Sequence, residues 1–375
     1  MRVLLTTDTI GGVWTFTKEL TQQLLIRGDS VALVSFGRAP SAGQRAWADE
    51  AASTHPGSFA LHACDAPLEW MLNNELAWSQ GGEFLIDVAE RFQPDVLHSS
   101  QFCWGALPLD IPKLITAHSD VRSWAAACSP TGLASSPWLE RYDALVQGGI
   151  DCADAIAAPT AWMRDALRMH FAVTAPFHVV ANGRTLANRK FDRERELCAV
   201  SVGRLWDEGK GLAILREIVS PVQILLAGER CFEGAESTVS QARWTSLGML
   251  DEKSLLDLFG TSSIYLATSL YEPFGLAPLE AALCGCAIVA RDIPSLREVW
   301  GDAALFFENA NSLQRLLSEL AEDPDKLCRF RVAAEERARS FNGKRLADRY
   351  ASLYRQLILK SAGGVSTVEE EMHAA

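Results

Sequence analysis

Apolar and polar positions follow two alternating periods along this chain. Val3–Thr6 is a short apolar run followed by a glycine pair, Gly11-Gly12. From about Val13 to Arg27 the period lengthens: Val13, Phe16, Leu20, Leu24 and the neighbouring Leu25 share one helical face. Gly28 closes that helix, and Val31–Phe36 is a second apolar run. Strand, glycine turn, amphipathic helix and strand, in that order, predict a β-α-β unit and hence a parallel sheet. Residues 38–82 are less regular and rich in Ala, Ser and Gly. Strands are predicted again at Val96–His98, Leu114–Ala117 and Ala155–Ala158. Ser119–Pro137, with Gly, Pro and many small residues, reads as a mobile loop near a cleft.

A second alternating series starts at Ala199–Gly203 and continues through Val222–Ala227, Trp244–Leu247, Ile264–Ala267 and Ala287–Ala290, with helical segments between. The expected fold is therefore α/β, with two Rossmann-like doubly wound domains facing across a cleft. The expected domains are 1–183 and 184–342, followed by a helix over 343–360. The small, polar residues 361–375 are expected to be a disordered tail. Ligands of such sheets bind outside the carboxyl ends of the strands, so chemistry is sought there.

Composition narrows the class. A length of 375 residues suits two or three domains with substantial cores. A formal net charge of −12 disfavours nucleic-acid partners and strong attachment to an anionic membrane. No apolar run reaches the roughly 18 residues of a membrane span, and Met1 to Asp8 enters a strand too soon for a signal peptide. The nine scattered cysteines show no metal-ligand spacing, which suits a reduced, cytoplasmic protein. The Asp-x-Asp at Asp323-Pro324-Asp325 reads as a proline-marked turn, so no metal site and no cofactor are expected.

The most informative stretch is Tyr271-Glu272-Pro273-Phe274-Gly275-Leu276-Ala277-Pro278-Leu279-Glu280. It follows the run Ile264–Ala267, and a helix is expected to start near Pro278. Glu272 and Gly275 then lie in a strand-to-helix loop, with Glu280 in the first helical turn. Free N–H groups at a helix start attract anions, and Gly275 lets a ligand approach the backbone. A diphosphate on those amides, with carboxylates holding hydroxyls on either side, describes a nucleotide-sugar. Gly203-Arg204-Leu205-Trp206-Asp207-Glu208-Gly209-Lys210-Gly211 also follows a strand. There a guanidinium fork and an ammonium, six residues apart, can converge on one diphosphate. Gly11-Gly12 offers open amides after the first strand. His118 and Asp120 follow another strand, and His98 ends the one before it.

Glu272 with Glu280, and Gly203-Arg204 with Lys210-Gly211, resemble the motifs of the family-four retaining glycosyltransferases, which have the GT-B fold. The resemblance spans residues 11 to 280 and is densest in the second half. It implies that Glu272 holds donor-sugar hydroxyls, that Glu280 holds the ribose, and that Arg204 and Lys210 neutralise the leaving nucleoside diphosphate. Gly12, Gly203, Phe274, Gly275 and Leu276 would line the donor site, and the backbone at Met249 would hold the base. His118 would lie beside the reactive end of the donor sugar, with Gly11, His98 and Asp120 toward the acceptor. The last helix would cross back to brace the first domain. Two departures matter. Glycogen and starch synthases carry a lysine where this chain has Thr9, which counts against a storage-polymer synthase. The Asn-Gly-Val-Asp linker of relatives becomes Asn182-Gly183-Arg184-Thr185.

The implied activity is retaining, metal-independent hexosyl transfer from a nucleotide-sugar to a hydroxyl of a small molecule or saccharide. Uridine diphosphate glucose is the default donor, with guanosine diphosphate mannose and adenosine diphosphate glucose open. Eight of the eleven tryptophans lie in the first half, where some could stack on an acceptor. A nucleotide-sugar epimerase or hydrolase, or a silent nucleotide-sugar-binding protein, is the alternative at this level.

Overall fold

The computed structural model describes residues 1–129, 131–186, 195–232, 235–236 and 244–363. The first sheet comprises β1 (Arg2–Asp8), β2 (Ser30–Phe36), β3 (Phe59–Ala63), β4 (Val96–Ser99), β5 (Lys113–Thr116), β6 (Ala155–Ala158) and β7 (Phe177–Val179). Its spatial order is β3-β2-β1-β4-β5-β6-β7, with parallel pairings throughout. The second comprises β8 (Glu196–Val202), β9 (Gln223–Ala227), β12 (Thr245–Gly248), β13 (Ser262–Ala267), β14 (Ala287–Arg291) and β15 (Ala304–Phe307). A two-residue antiparallel pair, β10 (Cys231–Phe232) and β11 (Ala235–Glu236), stands apart. The second sheet is ordered β12-β9-β8-β13-β14-β15. In both sheets the chain winds outward from its first strand, then returns to start the other wing beside it. Each sheet therefore has one switch point, between β1 and β4 and between β8 and β13, where a crevice opens.

Helices cover the sheet faces. They are α1 (Gly12–Ile26), α2 (Ala42–Thr54), α3 (Gly82–Phe92), α4 (Val121–Cys128), α5 (Pro137–Cys152) and α6 (Ala161–Arg168) in the first half. In the second half are α7 (Glu252–Thr261), α8 (Leu276–Leu283), α9 (Pro294–Trp300), α10 (Ala310–Glu322), α11 (Pro324–Arg339) and α12 (Gly343–Ser361). The continuous apolar runs are explained by burial on both faces. Val3 and Leu5 join the core beneath α1, whereas Leu4 joins the one on the opposite face. Likewise Tyr265 and Ala267 face one core of the second half, and Ile264 and Leu266 the other. Each fully buried Leu or Ile side chain contributes about 1.5–3 kcal/mol by transfer from water.

The weakly patterned stretch 38–82 holds α2 and the edge strand β3. Ser41 caps α2 through a capping box with Gln44, a signal that outweighs the lack of a strong apolar stripe. The expected loop Ser119–Pro137 contains α4, because Asp120 accepts the Ser123 N–H and starts a helix there. Helix α8 begins at Leu276 rather than near Pro278, with Gly275 in the left-handed region at φ 91°. Asp323 caps α11 by accepting the Lys326 N–H.

The chain passes twice through one narrow place. Arg184 donates its N–H to the Phe341 carbonyl at 2.9 Å, and a Cβ on Gly183 would lie 2.4 Å from the Asn342 carbonyl oxygen. Beyond it α12 lies along α1, and Leu346, Tyr350 and Tyr354 enter the same core as Val3 and Phe16. The expected tail begins as the last residue of α12, Ser361, and residues 364–375 lie outside the described residues. Among the described residues no helix is long and apolar enough to cross a membrane.

Candidate active site

Most of the candidate residues lie just past the carboxyl ends of strands at or next to the two switch points. Gly11 and Gly12 follow β1, His118 follows β5, Arg204 and Lys210 follow β8, and Glu272 to Gly275 follow β13.

In the second half the loops after β8 and β13 are tied together. Leu270 N–H donates to the Gly209 carbonyl at 2.8 Å, and Thr268 Oγ1 donates to the Lys210 carbonyl at 2.7 Å. Gly211 makes this approach possible, since a Cβ there would lie 2.3 Å from the Thr268 carbonyl oxygen and its φ is 60°. The result places Lys210 Nζ 2.7 Å from Glu272 Oε2, which also accepts from Ser269 Oγ at 3.0 Å. Arg204 pairs with Asp207 at 2.7 Å. Asp207 Oδ1 in turn accepts from Gly209 N–H at 2.8 Å and from Trp124 Nε1 of the first half at 3.2 Å. Phe274 is a core side chain, edge-on to Phe341 at 5.3 Å. Its contribution to a donor site is thus confined to its backbone. Leu276 packs against cores of both halves, and a Cβ on Gly12 would lie 3.6 Å from its Cδ1. Met249 is 71% exposed just past β12.

Glu280 is buried, and its Oε1 accepts from Arg184 Nε at 2.7 Å. Burial pushes its carboxyl above the ordinary range, and the Arg184 guanidinium opposes that shift.

The first half presents different electrostatics. The His118 ring stands edge-on to Phe16 at 4.4 Å, with Nε2 3.4 Å from Ser100 Oγ. Burial lowers its pKa to about 3, so it is a neutral imidazole at working pH. Asp120 directs both carboxylate oxygens at Ser123, Oδ1 to the backbone N–H and Oδ2 to the hydroxyl. Burial raises its pKa while those hydrogen bonds lower it. It serves as a helix cap, not as a free acceptor-binding carboxylate. His98 requires a larger correction. It is fully buried, with Nδ1 2.6 Å from Tyr354 Oη and Nε2 2.7 Å from Thr116 Oγ1. Both nitrogens are satisfied inside the protein, so the ring is a strut between β4 and α12, not an acceptor contact.

Several further residues lie beside these candidates. Asp8, the last residue of β1, accepts from Ile10 N–H at 2.8 Å. Burial raises its pKa to about 6, against the opposing effects of that hydrogen bond and of Arg204. Its place at a strand's carboxyl end before the glycine pair was the available signal. Tyr271, beside Glu272, sends its hydroxyl into the loop that carries His118, where it accepts from Ser119 Oγ at 3.2 Å and Asp120 N–H at 3.3 Å. Two residues on, the Pro273 carbonyl accepts from Thr160 Oγ1 at 2.9 Å. The loop bearing Glu272 is thus clasped to the first half on both sides. Among the described residues no group of three or more His, Cys, Asp or Glu side chains could hold a metal ion.

Comparison with known proteins covers nearly the whole chain. The family model described as Glycosyltransferase Family 4 matches residues 10–187, and that described as Glycosyl transferases group 1 matches residues 188–339. The alpha-maltose-1-phosphate synthase of Mycolicibacterium smegmatis is 28% identical over 70% of this chain and 79% of its own length. The glycogen synthase of Mycobacterium tuberculosis is 26% identical over 92% and 91%. Among solved structures, sucrose-phosphate synthase from Thermosynechococcus elongatus has a TM-score of 0.75 at 19% identity, covering 96% of this chain and all of that one (100%). Anabaena Alr3699/HepE in complex with UDP-glucose has a TM-score of 0.71 at 16% identity, covering 95% and 100%. At those identities the two structures establish a shared fold.

Proposed function

The chain belongs to glycosyltransferase family four, with the GT-B fold, and from that premise we propose that it moves a glucosyl group from UDP-glucose to a hydroxyl of a small-molecule or saccharide acceptor, with retention of configuration. The observation that carries this reading is the Lys210–Glu272 pair, built from two loops at the switch point of the second sheet. Both partners are partly exposed, on loops that follow the carboxyl ends of β8 and β13. An entering nucleotide-sugar exchanges this internal pair for two external ones: the ammonium turns to the diphosphate and the carboxylate to the sugar hydroxyls. Glucose as the sugar is supported by the relatives' names, since maltose, glycogen and sucrose all contain it. Uridine as the base is supported by the UDP-glucose complex of a neighbour of the same fold. Thr9, which donates to the Arg38 carbonyl, stands where polymer synthases carry lysine, which favours a small acceptor.

In this mechanism bond cleavage builds negative charge on the diphosphate and positive character on the sugar carbon. Arg204, Lys210 and the amides at the start of α8 meet the negative charge as it grows, and so lower the barrier rather than merely bind substrate. His118, being neutral, orients a sugar hydroxyl by hydrogen bonding without adding charge beside the cationic carbon. The acceptor attacks from the face the diphosphate leaves, and the leaving phosphate takes its proton. The clasp through Tyr271 and Pro273 holds the halves together and excludes water during transfer.

The test is a thermal-shift panel of UDP-glucose, GDP-mannose and ADP-glucose on wild type, Arg204→Ala and Glu280→Ala. Ligands that bind the native state raise Tm. The expected result is a shift with UDP-glucose that Arg204→Ala abolishes and Glu280→Ala reduces, followed by an α-linked product in NMR of an acceptor screen. A shift with GDP-mannose alone would replace the sugar and base but keep the site. Turnover of donor with no acceptor would point to hydrolysis or epimerisation. No shift with any of the three would refute the donor-site assignment.

A further inference from the structure

Arg184 stands where the linker departs from the pattern of relatives, and it is almost fully buried, with 4% of its side chain exposed. A guanidinium is costly to bury unless every side of it is engaged. Here three carboxylates surround it. Nε donates to Glu280 Oε1 at 2.7 Å, Nη1 to Glu19 Oε2 at 3.2 Å, and Nη2 to Glu252 Oε1. Those acids come from α8, α1 and α7, so a single side chain at the crossing point joins both halves of the molecule. Lys18 adds a second cation by pairing with Glu252. Glu19 is itself 1% exposed, and it sits in the helix that begins at the Gly11-Gly12 loop.

We propose that Arg184 is a positioning residue for the nucleotide: its planar fork fixes the rotamer and charge of Glu280 so that the remaining carboxylate oxygen, Oε2, meets the ribose hydroxyls. This rests on the reading of Glu280 as the ribose carboxylate. Oε1 is committed to Arg184, so one oxygen is structural and the other functional. A buried glutamate without a cation would be neutral and free to rotate, and would lose its grip on a cis-diol. Anchoring by Glu19 and Glu252 holds the guanidinium in place when the ligand arrives. Ribose recognition is thereby tied to the contact between the two halves, because Glu19 belongs to the first and Glu280 to the second. Lysine cannot replace this device, since an ammonium has no fork to span three acids.

The experiment measures discrimination, which a purely structural role leaves unchanged. UDP, ADP and GDP and their 2′-deoxy forms are titrated calorimetrically into the full-length wild type, Arg184→Met, Arg184→Lys and Glu280→Gln. Wild type is expected to prefer the ribose form by about tenfold, roughly 1.4 kcal/mol. Arg184→Met and Glu280→Gln are expected to bring that ratio to within about twofold. Arg184→Lys should fall between them and wild type. A wild-type ratio in Arg184→Met, whatever its overall affinity, overturns the proposal. If that variant does not fold, Arg184→Lys decides, and an unchanged ratio there overturns it equally. A wild-type protein that binds every diphosphate without preferring ribose refutes the ribose assignment of Glu280 and this proposal with it. One that binds none of them refutes the donor site itself.

Discussion

The two switch points share a strand order and differ in charge. At the second, between β8 and β13, the site is built of ions: Arg204 with Asp207, Lys210 with Glu272, and Glu280 with Arg184. Around the first, across the carboxyl ends of β1, β4 and β5, the groups are uncharged or occupied. His118 is neutral, Asp8 is pushed toward protonation, Asp120 caps a helix and His98 is a buried strut. The same winding of chain therefore supports opposite electrostatics, because topology decides where loops converge and side chains decide what they attract. A diphosphate needs cations whose partners can be exchanged.

Breaking the ionic side should have the largest effect. Lys210→Ala is expected to lower kcat/KM by about 100- to 1,000-fold, through lost stabilisation of the leaving diphosphate and a Glu272 left without its cation. The melting temperature should change little, since the pair is partly exposed. Steady-state kinetics beside a melting curve would check this. A loss smaller than about tenfold would mean that the second switch point does not bind the charged part of the donor.

The converse test applies to the first half. His98→Ala is expected to cost about 2–4 kcal/mol of stability, because it removes two buried hydrogen bonds and the ring stacked on Tyr350 at 4.7 Å. Nucleotide affinity should be unaffected. A protein with wild-type melting but altered acceptor KM would put His98 back into the acceptor site.

The smallest effect sharpens the contrast through pH. Asp8 has a folded pKa of about 6 against an ordinary 3.8, so the folded state loses stability as pH rises from the lower value through the higher. Asp8→Asn keeps an oxygen for the Ile10 N–H and removes the ionisation. It should therefore stabilise the protein above about pH 6, by at most about 3 kcal/mol, and by only about 0.5 kcal/mol near pH 4. Melting curves at both pH values decide this. An equal shift at pH 4 and pH 7.5 would show that burial of charge is not what distinguishes this end of β1.

Much of the second half was legible because its signals are local. Arg204 and Lys210 lie six residues apart on the connection after β8, and Glu272 and Glu280 eight apart on the loop and helix after β13, so each pair is visible as a short motif. The first half was less legible for the opposite reason. The partner that makes His98 a strut, Tyr354, is 256 residues away, and the Tyr271 hydroxyl that reaches the loop of His118 comes from the other half of the chain. Helix α4 was hidden among small residues, since its start depends on a cap rather than an apolar stripe.

Hydrophobic periodicity and glycine turns thus determined the two parallel sheets, and charge spacing picked out the loops after β8 and β13, because those depend on residues that are neighbours in the chain. Which polar groups are engaged and which are free was decided only by the tertiary structure. Arg184 shows why: its meaning lies in Glu19, Glu252 and Glu280, 165, 68 and 96 residues distant. Only folding brings those carboxylates together, and only burial makes their charge balance obligatory.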